Sequence, residues 1–235
     1  MPISGTARSD EASVARHYDA LDRFYREIWG EHVHHGLWTT GRESVEEATR
    51  ALVDVVARWA RARPGAVVAD AGCGYGGTAR ILAGEHGCEV VGFTLSAAQA
   101  ARVLQPGGRL VVVDWFARER PTRWQTRLLL GPIAREGRLP SLCALSDYER
   151  WAAAAGLRVV RTEDLSARAR RTWSIVGRRL ARRLAADADA RRFLLSSANP
   201  DRAFGLSLAR IPVALRTGAM QLALLAAERQ VVKAS

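Results

Sequence analysis

The sequence predicts an α/β fold, a largely parallel sheet carrying helices, and three observations predict it. The first is the stretch Val67 to Thr78. There a short β-branched run ends in Asp70, and glycines alternate at Gly72, Gly74 and Gly76 before a helix-like segment, Thr78 to Glu85. The second is a set of short apolar runs bounded by turn residues: Ala66–Asp70, Glu89–Phe93, Leu110–Asp114, Leu157–Thr162 and Gln221–Glu228. The third is helical spacing of apolar residues in the segments between them. Alternating glycines at a strand end let the chain turn sharply and let a ligand approach with no Cβ in the way. The helix that follows offers free N–H groups. The spacing D-x-G-x-G-x-G keeps its acid inside the turn, whereas a dinucleotide fingerprint carries its acid about 20 residues later on the ribose. The turn therefore suits a nucleoside ligand without phosphates.

Each element has a local cause. Residues 11 to 28 read as a helix, with Val14, Tyr18, Leu21, Tyr25 and Ile28 at helical spacing. Ser44 to Ala62 is a second helix, opened by Ser44-Val45-Glu46-Glu47 in capping-box form and ended by Pro64-Gly65. Ser96 to Leu104 reads as a short helix. The continuous valine run in Leu110–Asp114 suits a buried parallel strand. Ser146 is the expected cap of a helix from Asp147 to Ala155, which Gly156 stops. Helices are expected over residues 167–195 and about 202–217, before the last strand.

Composition narrows the function classes. With 48% hydrophobic residues in 235, the chain has enough apolar material for a core. Cys73, Cys88 and Cys143 form an odd set without paired spacing, which points to a reducing compartment, and a cytoplasmic location is expected. Residues 1–13 have no apolar signal core. The apolar stretch Ile211 to Ala227 is broken by Pro212, Arg216 and Gly218, so no membrane span is expected. The net charge is +11, and residues 158–216 hold 14 Arg against 5 acids. Such a surface suits an anionic partner. The alternative is a solvated helical face in an arginine-preferring proteome. The single lysine, Lys233, and the absence of aromatic interleaving favour that alternative, and nucleic acid is not an expected partner.

The glycine turn also resembles motif I of class I S-adenosylmethionine-dependent methyltransferases, and three further stretches extend the likeness. His17-Tyr18-Asp19 with Ile28-Trp29-Gly30-Glu31-His32-Val33-His34-His35-Gly36-Leu37-Trp38 looks like the N-terminal cap of the tocopherol methyltransferase-like subfamily. Val91 to Gln99 is similar to the G-x-T-L-S-x-x-Q strand end shared with cyclopropane fatty-acid synthases. Arg102 to Leu110 is similar to their R-V-L-x-P-G-G-x-L turn before strand five. Four motifs in family order cover roughly residues 14–230. The resemblance implies a Rossmann-like three-layer sandwich with an N-terminal helical cap, residues 1–62. A methyltransferase domain would follow over residues 63–235, with an Arg-rich helical insertion at about 166–217.

One spacing departs from the family. Two strand–helix units normally separate S-x-x-Q from R-V-L-x-P-G-G, at about 30 residues per βαβ unit. Here Gln99 is followed by Ala100, Ala101 and then Arg102. The chain reads as internally deleted after Gln99. The family order 3-2-1-4-5-7-6 reduces to about 2-1-5-7-6, with Leu110–Asp114 expected to pair with Val67–Asp70.

The resemblance assigns roles. The cofactor is S-adenosylmethionine. Asp70 holds its methionyl amino end, Gly72, Cys73, Gly74 and Gly76 form its turn, and His35 and Gly36 cap its carboxylate. Thr94, Leu95, Ser96 and Gln99 form a second wall. Trp29, Trp38 and Trp115 line the acceptor site, and Asp114 is the general base. Plain alternatives stand beside these: a helix N-cap for Asp70 and for Ser96, and core packing for the tryptophans. The histidines invite a metal, but no further carboxylate or thiolate stands at ligand spacing, so none is expected. The implied function is methyl transfer to O, C or N of an apolar or aromatic secondary metabolite. The other readings are a degenerate cofactor-binding relative or partner subunit, and a basic module for an anionic partner.

Overall fold

The computed structural model describes residues 3–4, 27, 32, 34–73, 76–93, 108–137, 139, 141–196 and 204–230. Of the expected helix over 11–28 only Glu27, which is helical, is among these residues, and the expected helix Ser96–Leu104 lies outside them. In chain order the elements are β1 (Ile3–Ser4), α1 (Val45–Ala60), β2 (Val67–Ala71), α2 (Gly77–Gly84), β3 (Glu89–Phe93) and β4 (Arg109–Ala117). Then come α3 (Arg123–Gln125), a π-helical turn (Thr126–Leu130), α4 (Gly131–Glu136), β5 (Ser141–Leu142), α5 (Leu145–Ala154) and β6 (Leu157–Asp164). The chain closes with α6 (Ser166–Ala169), α7 (Arg171–Ala186), α8 (Ala188–Leu195), α9 (Phe204–Arg216) and β7 (Met220–Arg229).

Two compact units result. One, the turn unit, holds Glu31–Asp114, Asp147–Arg168 and Ala223–Ser235; the other, the helical unit, holds Met1–Gly30, Trp115–Ser146 and Ala169–Leu222. Strands β4 and β7 run through both. In the turn unit, α1 is set by the capping box that the sequence spells. Ser44 Oγ accepts from Glu47 N (3.1 Å) and Glu47 Oε2 accepts from Ser44 N (2.7 Å). The helix ends earlier than Pro64-Gly65, at Arg61, whose left-handed backbone (φ 58°) turns its N–H back to Ala57 and Arg58. Strands β2 and β3 are parallel and in register from Val67↔Glu89 to Ala71↔Phe93. Val68 and Val90 on one face pack against Ala57, Leu82 and Cys88 of α1, α2 and the following turn. The opposite face stays open: Val67 is 68% exposed and Val91 51%. A second helical layer belongs there in a doubly wound sheet, and the missing strand–helix units are the part of the family chain without a counterpart here.

The second sheet has the order β4-β7-β6. Strands β6 and β7 are antiparallel, from Leu157↔Arg229 to Asp164↔Ala223, the far antiparallel pair that the sequence predicts. Gly108 O accepts from Arg229 N while Ala219 O accepts from Arg118 N, so β4 also runs against β7. The expected order 2-1-5-7-6 is thus present as two ladders, 2-1 and 5-7-6. The expected join between them is corrected: among the described residues Leu110–Asp114 pairs with β7 and not with Val67–Asp70. Valines 111–113 are accordingly half-buried rather than buried. The start of β4 is fixed elsewhere. Arg109 Nε and Nη2 lie 3.2 and 3.0 Å from Glu228 Oε2 on β7, and its Nη1 donates to Trp59 O. The clamp fixes β4 on β7, so β4 can reach the slot beside β2 only by carrying β7 and β6 with it.

In the helical unit a core of Leu129, Leu130, Ile133, Trp173, Ile211 and Met220 holds α3 to α4, α7 and α9 together. Ser146 lies inside α5, not before it, and its hydroxyl donates to Glu119 Oε2 (2.7 Å). Gly156 ends α5 as expected, with φ 75°.

The Arg109–Glu228 clamp yields a stability test. Both side chains are largely buried, at 11% and 20% exposed, whereas Arg61, the second cation on Glu228, is 52% exposed. Glu228→Gln should lower unfolding free energy by about 1–3 kcal/mol, because the guanidinium loses its charged acceptor away from water. Arg61→Ala should change it by less than about 1 kcal/mol. Urea denaturation of the two variants checks the difference.

Candidate functional site

The glycine turn is built by backbone conformation. Gly72 (φ 83°) and Gly76 (φ 75°) are both left-handed, and Gly76 N donates to Cys73 O (2.8 Å), closing the turn. A residue with a Cβ is strained at both positions. Gly76 is the N-cap of α2 and makes no side-chain cap, so Asp70 is not serving as that helix's cap. Asp70 instead pairs in register with Gly92, and the Cys73 Sγ fills the space over Gly92 that a Cβ would need (2.9 Å). Gly92, the glycine of the G-x-T-L-S-x-x-Q stretch, is therefore a packing requirement of the turn.

Asp70 Oδ2 is buried and has no hydrogen-bond partner among the described residues, and burial pushes its carboxyl above the usual range. A buried carboxylate oxygen without a donor is costly unless something positive or N–H-bearing meets it. An ammonium group answers that need, so the turn fits the amino end of S-adenosylmethionine. The carboxylate on the same carbon as that ammonium would meet the free N–H groups that begin α2.

Above that helix start lies a chain of histidines. His32 is the residue that sequence reasoning missed as a site member. Its ring stands where a Cβ on Gly77 would be, 2.4 Å from Nδ1, so Gly77 is glycine to admit this imidazole at the first residue of α2. Its helix-start neighbour could be found only from tertiary packing. His34 Nδ1 lies 2.9 Å from His35 O, and its Nε2 lies 3.2 Å from His32 Nδ1. The carbonyl only accepts, so His34 Nδ1 carries a proton, and neutral His34 Nε2 accepts from His32 Nδ1–H. That order leaves His32 Nε2 as an acceptor. Burial, opposed by the bond to His35 O, holds His34 below its ordinary range, and burial with the neighbouring His34 pushes His35 down to about 3. Among the described residues no group of three His, Cys, Asp or Glu is arranged to hold a metal ion.

Gly36 is close-packed by its own neighbours: a Cβ would stand 2.8 Å from the Trp38 ring and 2.9 Å from Ala48. Trp38 is 7% exposed, donates Nε1–H to Glu43 O (3.0 Å), and is tied by its backbone N–H to Arg168 O. Core packing accounts for these contacts of Trp38. Glu43 in turn accepts from Thr39, Thr40 and Gly41 N–H groups, which hold its carboxyl at about 2. Trp115 belongs to the helical unit, where its ring packs 5.5 Å from that of Trp173. Asp114, exposed on β4, accepts a hydrogen bond from Tyr148 OH on α5 (3.0 Å). Gly74, Thr94, Leu95, Ser96, Gln99 and Trp29 lie outside the described residues.

The chain is similar to several known proteins. Residues 6–107 match the family model for mycolic acid cyclopropane synthetase. A probable chloroplastic tocopherol O-methyltransferase of Oryza sativa subsp. japonica is 27% identical over 233 residues, covering 69% of this chain and 64% of the relative. An alignment that long within so little of a 235-residue chain is what a missing internal stretch produces. The chain spans under two-thirds of that relative's length. The cyclopropane synthase MmaA2 of Mycobacterium tuberculosis superposes with a TM-score of 0.79 at 18% identity, over 95% of this chain and 100% of that one. The [4+2]-cyclase SpnF superposes with a TM-score of 0.75 at 21% identity, over 97% and 100%. At those identities the two structures speak for the fold alone.

The histidines make stability depend on pH. An unfolded imidazole takes up a proton near 6.5 and folded His35 only at about 3, so stability is full above 6.5 and falls as pH drops through that window. By pH 5 the loss is about 2 kcal/mol from this group. Urea midpoints at pH 7 and pH 5 should differ more for the parent than for His35→Gln. Equal slopes would show that His35 takes no part.

Proposed function

We propose that this chain is a class I S-adenosylmethionine-dependent methyltransferase, in the branch of the tocopherol methyltransferases and cyclopropane synthases, and methylates an apolar or aromatic small molecule at oxygen, carbon or nitrogen. The observation that carries the reading is the buried, unpartnered Asp70 oxygen at a left-handed glycine turn. Bound there, S-adenosylmethionine would supply an electrophilic methyl on a sulfonium sulfur. The protein's part is then mostly positioning, which is worth roughly 7–11 kcal/mol when donor and acceptor are well aligned. Asp70 holds the cofactor's ammonium, the turn of Gly72, Cys73, Gly74 and Gly76 passes beneath it, and the helix start beside His32 and Gly77 receives its carboxylate. His35 and Gly36 keep that cap in place, and Thr94, Leu95, Ser96 and Gln99 form the further wall. Trp29, Trp38 and Trp115 are the aromatic residues assigned to the acceptor side.

Asp114 is the proposed base for a hydroxyl acceptor, with Tyr148 as its hydrogen-bonding neighbour. The loop that often brings a histidine to that acid belongs to the missing stretch. General acid–base help is worth about 10²–10⁴-fold, so transfer by this chain is expected to be slow. The missing stretch also favours a second reading, a relative that binds the cofactor without turning it over.

Calorimetry and a labelled-methyl transfer assay test the proposal together. The parent should bind S-adenosylmethionine. Asp70→Asn should weaken binding by about ten- to a hundredfold, the worth of one charge-assisted hydrogen bond. Gly77→Ala, which drives a Cβ into the His32 ring, should weaken it as well. Affinity of the parent should also fall as acid protonates Asp70, with Asp70→Asn insensitive over the same range. Binding without transfer to any phenolic or indolic acceptor would select the second reading. Binding unchanged in Asp70→Asn would remove the assigned site.

A further inference from the structure

We infer that the stretch Arg118–Leu128 is a docking site for an anionic lipid bilayer, with Trp124 and Leu128 entering the interface and the flanking arginines on the headgroups. Trp124 is 48% exposed and Leu128 58%, and they stand four residues apart on the same side of one helical run. Arg118, Arg120, Arg123 and Arg127 are exposed beside them, and none has an acidic partner among the described residues. The one acid in the stretch, Glu119, accepts from the backbone and hydroxyl of Ser146 (3.2 and 2.7 Å).

The stretch is held rigidly from behind. Thr122 and Gln125 form a capping box, and Gln125 Nε2 donates to Thr217 O. Leu129 and Leu130 are buried at 6% and 0% exposed. Neither folding nor helix stability calls for what faces outward. Arginine in the first helical turn opposes the helix dipole, and a half-exposed tryptophan forgoes burial. Helix α9, which packs against α4 and the π-helical turn, continues the apolar surface. Leu206 (54% exposed) and Val213 (40%) share one face with exposed Ala209, and the stripe ends at Arg216.

Exposed tryptophan and leucine with arginines at their flanks is the pattern of an element lying in a bilayer interface. The arginine stems lie along the apolar boundary while their heads stay with the phosphates. A second copy of this chain is a poor occupant, because each copy carries +11. A nucleic acid would want several aromatic faces for base stacking, and here the apolar residues beside the single tryptophan are aliphatic.

Co-sedimentation of the full chain with vesicles tests the assignment, using phosphatidylglycerol mixed with phosphatidylcholine against phosphatidylcholine alone. The parent should pellet with the anionic vesicles, less so in high salt. Arg123→Glu with Arg127→Glu should lower partitioning by about tenfold or more, since each arginine near an anionic surface contributes roughly a factor of five. Trp124→Ser with Leu128→Ser should lower it comparably. Arg178→Glu with Arg182→Glu, on the exposed face of α7, should keep most of the binding. S-adenosylmethionine calorimetry on each variant should be unchanged, which separates loss of docking from loss of the proposed cofactor site. No preference of the parent for anionic vesicles would overturn the inference, as would full binding by the Arg123/Arg127 variant. An equal loss in the Arg178/Arg182 variant, or binding of single-stranded DNA indifferent to Trp124→Ser, would overturn it too.

Discussion

Strand β7 bears on nearly everything else in the molecule, because among the described residues it alone has a strand along each edge. Leu222 to Ala227 are buried without interruption, so both of its faces are covered and both of its edges hydrogen-bonded. Such a strand cannot slide. Its register fixes β6 on one side and β4 on the other, and at its end Glu228 receives the guanidinium of Arg109. The position of Asp114 follows from that clamp, and so does the separation of β2 from β4. A gap in a sheet is normally closed to satisfy backbone groups. Here closing it would mean moving β4 together with the whole ladder it has made on β7.

The consequence for the glycine turn is that it rests on a two-stranded piece of sheet with helices on one face. That face is the one that counts for the site. Asp70 follows Val68 on it, and α2 begins from the turn beside it. The polar chemistry is then decided by what burial leaves unpaired. Asp70 is left with an oxygen that none of the described residues answers, while His34 and His35 lose their basicity through burial. A site holding one raised carboxyl and a neutral imidazole chain favours a cationic, non-phosphorylated ligand end near Asp70.

The positive charge of the chain divides into two populations. Within the Arg-rich stretch several arginines are structural: Arg168 on Glu163, Arg183 on Asp187, Arg192 on Asp189 and Arg210 on Glu136. Arginines 118–127 lie outside that stretch, where a charge count along the chain draws no attention. Their distinction comes from what stands between them, an exposed tryptophan and leucine.

The sequence by itself determined the local events: the capping box at Ser44 and the glycine turn after Asp70. Each depends on neighbours a few residues apart or on a motif with fixed spacing. Tertiary structure alone decided the end of α1 at left-handed Arg61, the packing of Cys73 over Gly92, and the entry of His32 at Gly77. It also decided which strand β4 would choose. Apart from that helix end, those outcomes depend on which surfaces meet across stretches far apart in the chain, up to 119 residues between Arg109 and Glu228. A glycine whose missing Cβ makes room for a distant ring looks, in the sequence, like any other glycine.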